Sequence, residues 1–174
     1  MAANKLICVL FGILVISAWV LGSAIQAGAE TMNFKLYTHA IKTERTLISD
    51  VEGHSFSFAI RRGIYAFENG EYATHFAVNV ADTIKGSGSY TQYSTITFQD
   101  GSTVILKQQA VLSGTGPGVS TSSAMTGEII KGTGRFEGIK GTQTTRFKFM
   151  PVEKREDGPK GIGDGTLIFT LPSK

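Results

Sequence analysis

The chain has 174 residues, 41% of them apolar, which suffices for one domain with a substantial core and not for two. Its 17 basic and 14 acidic residues leave a net charge of +3 without charge blocks, so a nucleic-acid groove or a polybasic membrane patch has no compositional support. A single cysteine excludes a disulfide scaffold, and 10% aromatic residues argue against disorder.

At the N-terminus, Lys5 precedes an apolar run from Leu6 to Leu21, and Ala27-Gly28-Ala29 is a small-x-small cleavage site before Glu30. Residues 1–29 therefore read as a secretory signal peptide and residues 30–174 as the domain, exported to a periplasm or out of the cell. The competing reading is an uncleaved membrane anchor, since the run approaches the ~20 residues that span hydrocarbon. Cys8 sits near the start of the run, where it serves as apolar filler and not as a lipoprotein attachment point. Cleavage would leave no thiol, so the exported domain has to be stable on its core alone.

From Asn33 onward the helical apolar spacing is absent, and short alternating runs recur between glycine and aspartate signals. The candidate strands are 33–42, 44–49, 55–67, 71–82, 90–99, 102–112, 120–131, 141–150 and 164–171. An all-β domain follows: a single antiparallel, closed, eight-stranded β-barrel (eight or nine strands), with a sandwich as the alternative. Closure removes exposed strand edges. The interior of such a barrel holds its own side chains or one small ligand.

Two turns set the faces. Asn69-Gly70 reads as a two-residue type I′ turn, which pairs Phe67 with Tyr72, Tyr65 with Thr74 and Gly63 with Phe76, and puts His75 outside. Upstream, Phe56, Phe58 and Ile60 are apolar at even positions while Tyr65 and Phe67 are apolar at odd ones. A bulge at Arg61-Arg62-Gly63 is therefore predicted, to keep both sets on one side. The two arginines would bind an anion there or keep a strand edge soluble. Gln99-Asp100-Gly101 reads instead as a three-residue loop with Gly101 left-handed, aligning Ile96 with Val104, Ser94 with Leu106, Gln92 with Gln108 and Tyr90 with Ala110.

These registers nominate Gln92, Gln108, Thr74, Tyr65, Tyr72, Phe76 and Tyr90 as interior, ligand-facing positions. The aromatic members are core residues before they are pocket residues. Gln92 and Gln108 need each other or a ligand, because an unsatisfied buried polar group costs ~1–3 kcal/mol.

Further along, glycines at 132, 134, 138 and 141 surround Phe136, a pattern of two tight bends that push the phenylalanine inward as a plug. No helix follows and the Walker lysine-threonine pair is missing, so this is not a nucleotide loop. The segment Gly132-Thr133-Gly134-x-Phe136-x-Gly138-x-x-Gly141 resembles one that allene oxide cyclase and dirigent-like, calycin-like barrel proteins carry between two late strands. Looser support comes from the strand-turn rhythm of residues 33–171 and from Asp100-Gly101-Ser102 before a strand. The resemblance implies an exported closed barrel, often oligomeric, whose hydrophobic cavity steers ring closure or coupling of reactive organic molecules without metal or organic cofactor. It assigns no catalytic residue to this chain.

The remaining chemistry is sparse. His39, His54 and His75 show no i, i+2 pairing of the kind that puts two metal ligands on one strand face, so no metal is expected and each reads as exposed or singly hydrogen-bonded. There is no Gly-x-Ser-x-Gly element. Glu128, Glu137 and Asp164 could supply an acid and a base, as glycoside hydrolysis needs, but solvated turn and strand-edge charges are the plainer reading. Lys154-Arg155-Glu156-Asp157 beside Gly158-Pro159 reads as an exposed loop. The expected function is an exported barrel that binds a small hydrophobic or aromatic molecule. The alternatives are a cofactor-free cyclase or isomerase resembling allene oxide cyclase, and a structural, oligomeric envelope protein. Neither nucleic acid nor, after signal cleavage, a membrane is an expected partner; a small hydrophobic molecule and a second copy of the chain are the candidates left open.

Overall fold

The computed structural model describes residues 28–116, 119–151 and 158–173. Most of the segment read as a signal peptide, and the loop at Lys154–Asp157, lie outside the described residues. Eight antiparallel strands follow one another round a closed barrel: β1 (Glu30–Leu47), β2 (His54–Phe67), β3 (Tyr72–Ile84), β4 (Ser87–Phe98), β5 (Thr103–Gly116), β6 (Val119–Thr133), β7 (Lys140–Phe149) and β8 (Lys160–Thr170). β8 closes on β1 in an unbroken register from Glu30↔Phe169 to His39↔Lys160. The two segments expected at 33–42 and 44–49 are one strand. Their apparent break is a bulge, since the register of β1 against β2 shifts between Ala40 and Lys42 and leaves Ile41 over.

The turn at Gln99–Gly101 has the expected form: Phe98 N–H donates to Ser102 O at 2.9 Å, Gly101 has φ +81°, and Gln92 stands opposite Gln108. The turn at Asn69-Gly70 is a correction. Phe67 N–H donates to Glu71 O at 2.9 Å, and Gly70, with φ +87°, is the left-handed residue, so this loop also has three residues and not two. One residue of slip turns every β3 side chain over. Tyr65 therefore faces Ala73 and Gly63 faces His75. Tyr72 (55% exposed), Thr74 and Phe76 (43% exposed) lie on the outer face, while Ala73, His75 and Ala77 are buried inside.

The predicted bulge in β2 is corrected by the same observation. β2 pairs with β3 without interruption from His54↔Ile84 to Ala66↔Tyr72, so its parity never changes. Phe56, Phe58 and Ile60 are consequently outward, Arg62 is exposed with its guanidinium 5.8 Å from the Phe76 ring, and Arg61 points inward.

Phe136 closes one end. A short 3-10 turn, Gly134–Phe136, lies between β6 and β7, with Gly134 at φ +62° and Gly138 at φ +74° making the two bends. The ring is buried between Phe98 (centroids 4.8 Å apart) and Phe169 (6.0 Å), and Phe34, Tyr65 and Phe67 continue the aromatic stack inward. Arg135 caps the plug from outside, its guanidinium 4.7 Å from the Phe98 centroid and 2.7 Å from Glu71. Opposite, β8 is built of glycines because rings lie directly on its backbone: a Cβ on Gly165 would stand 2.5 Å from Phe34 Cζ, and one on Gly161 2.5 Å from Phe147 Cε1.

Candidate functional site

Beyond the aromatic plug the barrel interior turns polar, in two layers. The first is a hydrogen-bonded belt. Gln92 Nε2 donates to Gln108 Oε1 at 2.8 Å, Ser94 Oγ donates to the same oxygen at 2.8 Å, and Gln108 Nε2 donates to Gln143 Oε1 at 2.6 Å. Gln143 Nε2 continues to the Tyr65 hydroxyl at 3.0 Å and to Thr145 Oγ1 at 3.2 Å. Burial pushes the Tyr65 phenol's pKa up, and the Gln143 bond offsets part of that rise. Of the two ways the amides could be satisfied, the structure takes the first: they bond each other. The belt spans β2, β4, β5 and β7 and satisfies its own polar atoms, so it stiffens the barrel and asks for no ligand.

The second layer does ask. His75 is 3% exposed, and neither of its ring nitrogens has a hydrogen-bond partner. The Tyr65 ring lies edge-on to it, with centroids 5.5 Å apart. Burial, and then the nearby Arg61 charge, push its pKa down to about 3, so the imidazole is neutral at any ordinary pH. Asn79 Oδ1 and Ser123 Oγ are likewise buried without partners. Asn79 stands opposite Ala59 and Gln92, which puts it on the inner face.

Arg61 is 7% exposed. Its Nη2 donates to Pro159 O at 3.1 Å, and its guanidinium lies 5.9 Å from the centroids of both Phe147 and Phe149. No Asp or Glu is buried among the described residues, and no described carboxylate pairs with it. Burial lowers its pKa, but an arginine stays charged. Tyr90 completes the layer, donating its hydroxyl to Met125 Sδ at 3.4 Å. Burial pushes that phenol up, while Ser123 and Arg61 hold the rise back. Ser123 lies close enough to Tyr90 for this effect without a hydrogen bond of good geometry.

The seven nominated interior positions thus divide. Gln92, Gln108, Tyr65 and Tyr90 face inward; Thr74, Tyr72 and Phe76 do not. Arg61, His75, Asn79 and Ser123, like Ser94, Gln143 and Thr145 of the belt, are interior polar groups that sequence reasoning did not nominate as interior. Reading Glu68-Asn69-Gly70 on the pattern of Gln99-Asp100-Gly101 would have found the first three, because it fixes the parity of β2 and β3.

Elsewhere, Glu128, Glu137 and Asp164 are exposed, as is His39. His54, expected to be exposed or singly hydrogen-bonded, bonds two carboxylates, Asp50 at 2.6 Å and Asp82 at 2.8 Å. No cluster of three potential metal ligands occurs among the described residues. A broad surface concavity is lined by residues of β4 to β8 and of the neighbouring ends of β1 and β2, among them the outward-facing Thr126, Thr144, Arg146, Lys148 and Thr166. Ser123, one of the unpartnered groups, is among the residues that line it, as are the inward-facing Tyr90, Met125 and Phe147; His75 and Asn79 are not.

No protein-family model and no curated protein sequence matches the chain. Solved structures do. The pterocarpan synthase dirigent protein GePTS1 superposes with a TM-score of 0.50 at 14% identity, over 88% of this chain and 94% of that one. The pterocarpan synthase dirigent protein PsPTS1 gives 0.49 at 14% identity, over 84% and 97%. The likeness to GePTS1 establishes a shared eight-stranded barrel fold and extends no further. It supports the dirigent-like half of the resemblance read from the glycine segment and lends none to allene oxide cyclase as such.

Proposed function

We propose that the chain is a small-molecule-binding barrel that takes an apolar or aromatic ligand into the half of its interior away from the Phe136 plug. The observation that carries this reading is His75, a buried imidazole with both nitrogens unpartnered, among further unpartnered oxygens of Asn79 and Ser123. Each such group costs about 1–3 kcal/mol while it stays unsatisfied, and a bound molecule with matching polar atoms recovers that cost. The wall beside them is made of small residues, Ala59, Gly63, Ala77 and Ala81, with Phe147 facing them across the barrel. An apolar enclosure with a few convergent polar groups is the usual form of a ligand site. The apolar N-terminal run and its small-x-small site support an exported protein.

Native mass spectrometry and thermal-shift measurements against lipophilic and aromatic metabolites test the proposal. At least one compound class is expected to bind and raise Tm, and Ala77→Phe, which fills the inner face beside His75, is expected to abolish that binding while the β circular-dichroism spectrum persists. Absence of binding across the panel, or equal binding by the filled variant, contradicts it.

A second reading, a reaction-steering barrel, is favoured by the fold shared with a protein named as a pterocarpan synthase. Among the described residues no carboxylate is buried, so a cyclase or isomerase here would act by holding a reactive substrate in a near-attack shape. An unstable epoxide incubated with the protein should then close with one handedness; a racemic product equal to the blank argues against it. A third reading, oligomerisation, is favoured by the exposed Phe56, Phe76, Val80 and Tyr93 on the outer face of β2 to β4, and sedimentation decides it.

A further inference from the structure

We infer that the ligand of this barrel is a monoanion, an organic acid whose carboxylate is bound by Arg61 with His75 beside it. The inference rests on the small-molecule reading above and adds the charge of the head group. Three observations carry it. First, Arg61 brings a full positive charge into the barrel, and taking an uncompensated guanidinium out of water is expensive. Of its donors, only Nη2 has an acceptor among the described residues, the Pro159 carbonyl. The ring faces of Phe147 and Phe149 attract the cation without neutralising it. Second, no carboxylate is buried among the described residues, so no described side chain balances the charge. Third, the neighbouring His75 is unpartnered, and a neutral imidazole can donate one N–H to an anion.

Charge counting sets the class. With one guanidinium and an imidazole that stays neutral, a single negative charge makes the buried layer electroneutral, whereas a phosphate dianion would leave an uncompensated charge behind. A planar carboxylate also matches the fork of a guanidinium. The apolar body is then left to lie among Tyr90, Leu112 and Phe147, which line the same interior.

The full chain is titrated calorimetrically with matched acid and amide pairs: cinnamate and cinnamamide, 2-naphthoate and 2-naphthamide, dodecanoate and dodecanamide. The acid of at least one pair is expected to bind about tenfold or more tightly than its amide. Arg61→Met is expected to reduce the acid to the affinity of the amide, Arg61→Lys to keep part of the preference, and Arg62→Met, on the outer face, to keep all of it. Should Arg61→Met fail to fold, the acid-over-amide ratio in the native protein still decides. Binding of acids and amides with equal affinity overturns the anion inference and leaves the barrel reading standing; no binding by any of the six overturns both. Glu153, Glu156 and Asp157 lie outside the described residues, and their joint replacement by the corresponding amides is expected to leave acid binding unchanged. Acid binding that appears only in that variant means the chain's own carboxylates occupy Arg61, and overturns the inference as well.

Discussion

His75 and His54 make stability depend on pH in opposite senses. The folded His75 has its pKa pushed down to about 3 by burial and then by Arg61, against an unfolded value near 6.5. Its contribution is therefore fully present above the unfolded value and is lost as pH falls from about 6.5 toward 3, at roughly 1.4 kcal/mol per pH unit, because only the unfolded chain takes up the proton there. His54 has its pKa raised by hydrogen bonds to Asp50 and Asp82, so its contribution is present below the unfolded value and is lost as pH rises through the folded one. Urea titrations should show His75→Leu flattening the acid limb between pH 4.5 and 6.5, and His54→Asn lowering stability at pH 5.5 while leaving it unchanged at pH 9. An acid limb equally steep in His75→Leu would mean that the imidazole is not held neutral inside. At this scale the sequence was legible where a residue's partner lay across a correctly read turn, as with Gln92 and Gln108. It was illegible for Arg61 and His75, whose burial contradicts the usual placing of arginine and of an unpaired histidine.

The elements show why. Asn-Gly favours a two-residue type I′ turn when the backbone alone decides. Here the Asn69 side chain decides: its Oδ1 accepts from Glu71 N–H at 3.1 Å, as Asp100 Oδ1 accepts from Ser102 N–H at 2.9 Å. The two loops are the same device, which the Asn-Gly pair conceals behind its stronger two-residue turn signal. The glycine segment was legible because its spacing demands bends, and Phe136 is the only apolar residue between Gly134 and Gly138. Two substitutions separate strain from crowding. A Cβ on Gly70 meets nothing within 4 Å, so Gly70→Ala is expected to cost only about 1 kcal/mol of left-handed strain. A Cβ on Gly134 would lie 2.4 Å from Ser102 Oγ, the acceptor of Arg135 N–H, so Gly134→Ala should cost clearly more. Equal unfolding midpoints for the two variants would show that the plug bend is not tightly packed.

For the whole molecule, closure was legible from strand number and edge avoidance, and it survived the slip in one hairpin because parity inside β2 and β3 does not alter their order. The slip moved the functional reading instead. With the bulge that it removes from β2, it transferred four aromatic rings, Phe56, Phe58, Tyr72 and Phe76, to the outer face and brought a cation and a neutral imidazole inside. The molecule is therefore a barrel with one end filled by an aromatic plug, a self-satisfied amide belt across its middle, and a layer beyond with more donors and acceptors than partners. The most direct test of that arrangement is a backbone amide NMR titration of the full chain with 2-naphthoate. Saturable shifts concentrated at Gly63, His75, Ala77 and Asn79 are predicted; shifts confined to Thr126, Thr144 and Thr166 on the outer groove, or none at all, would contradict it.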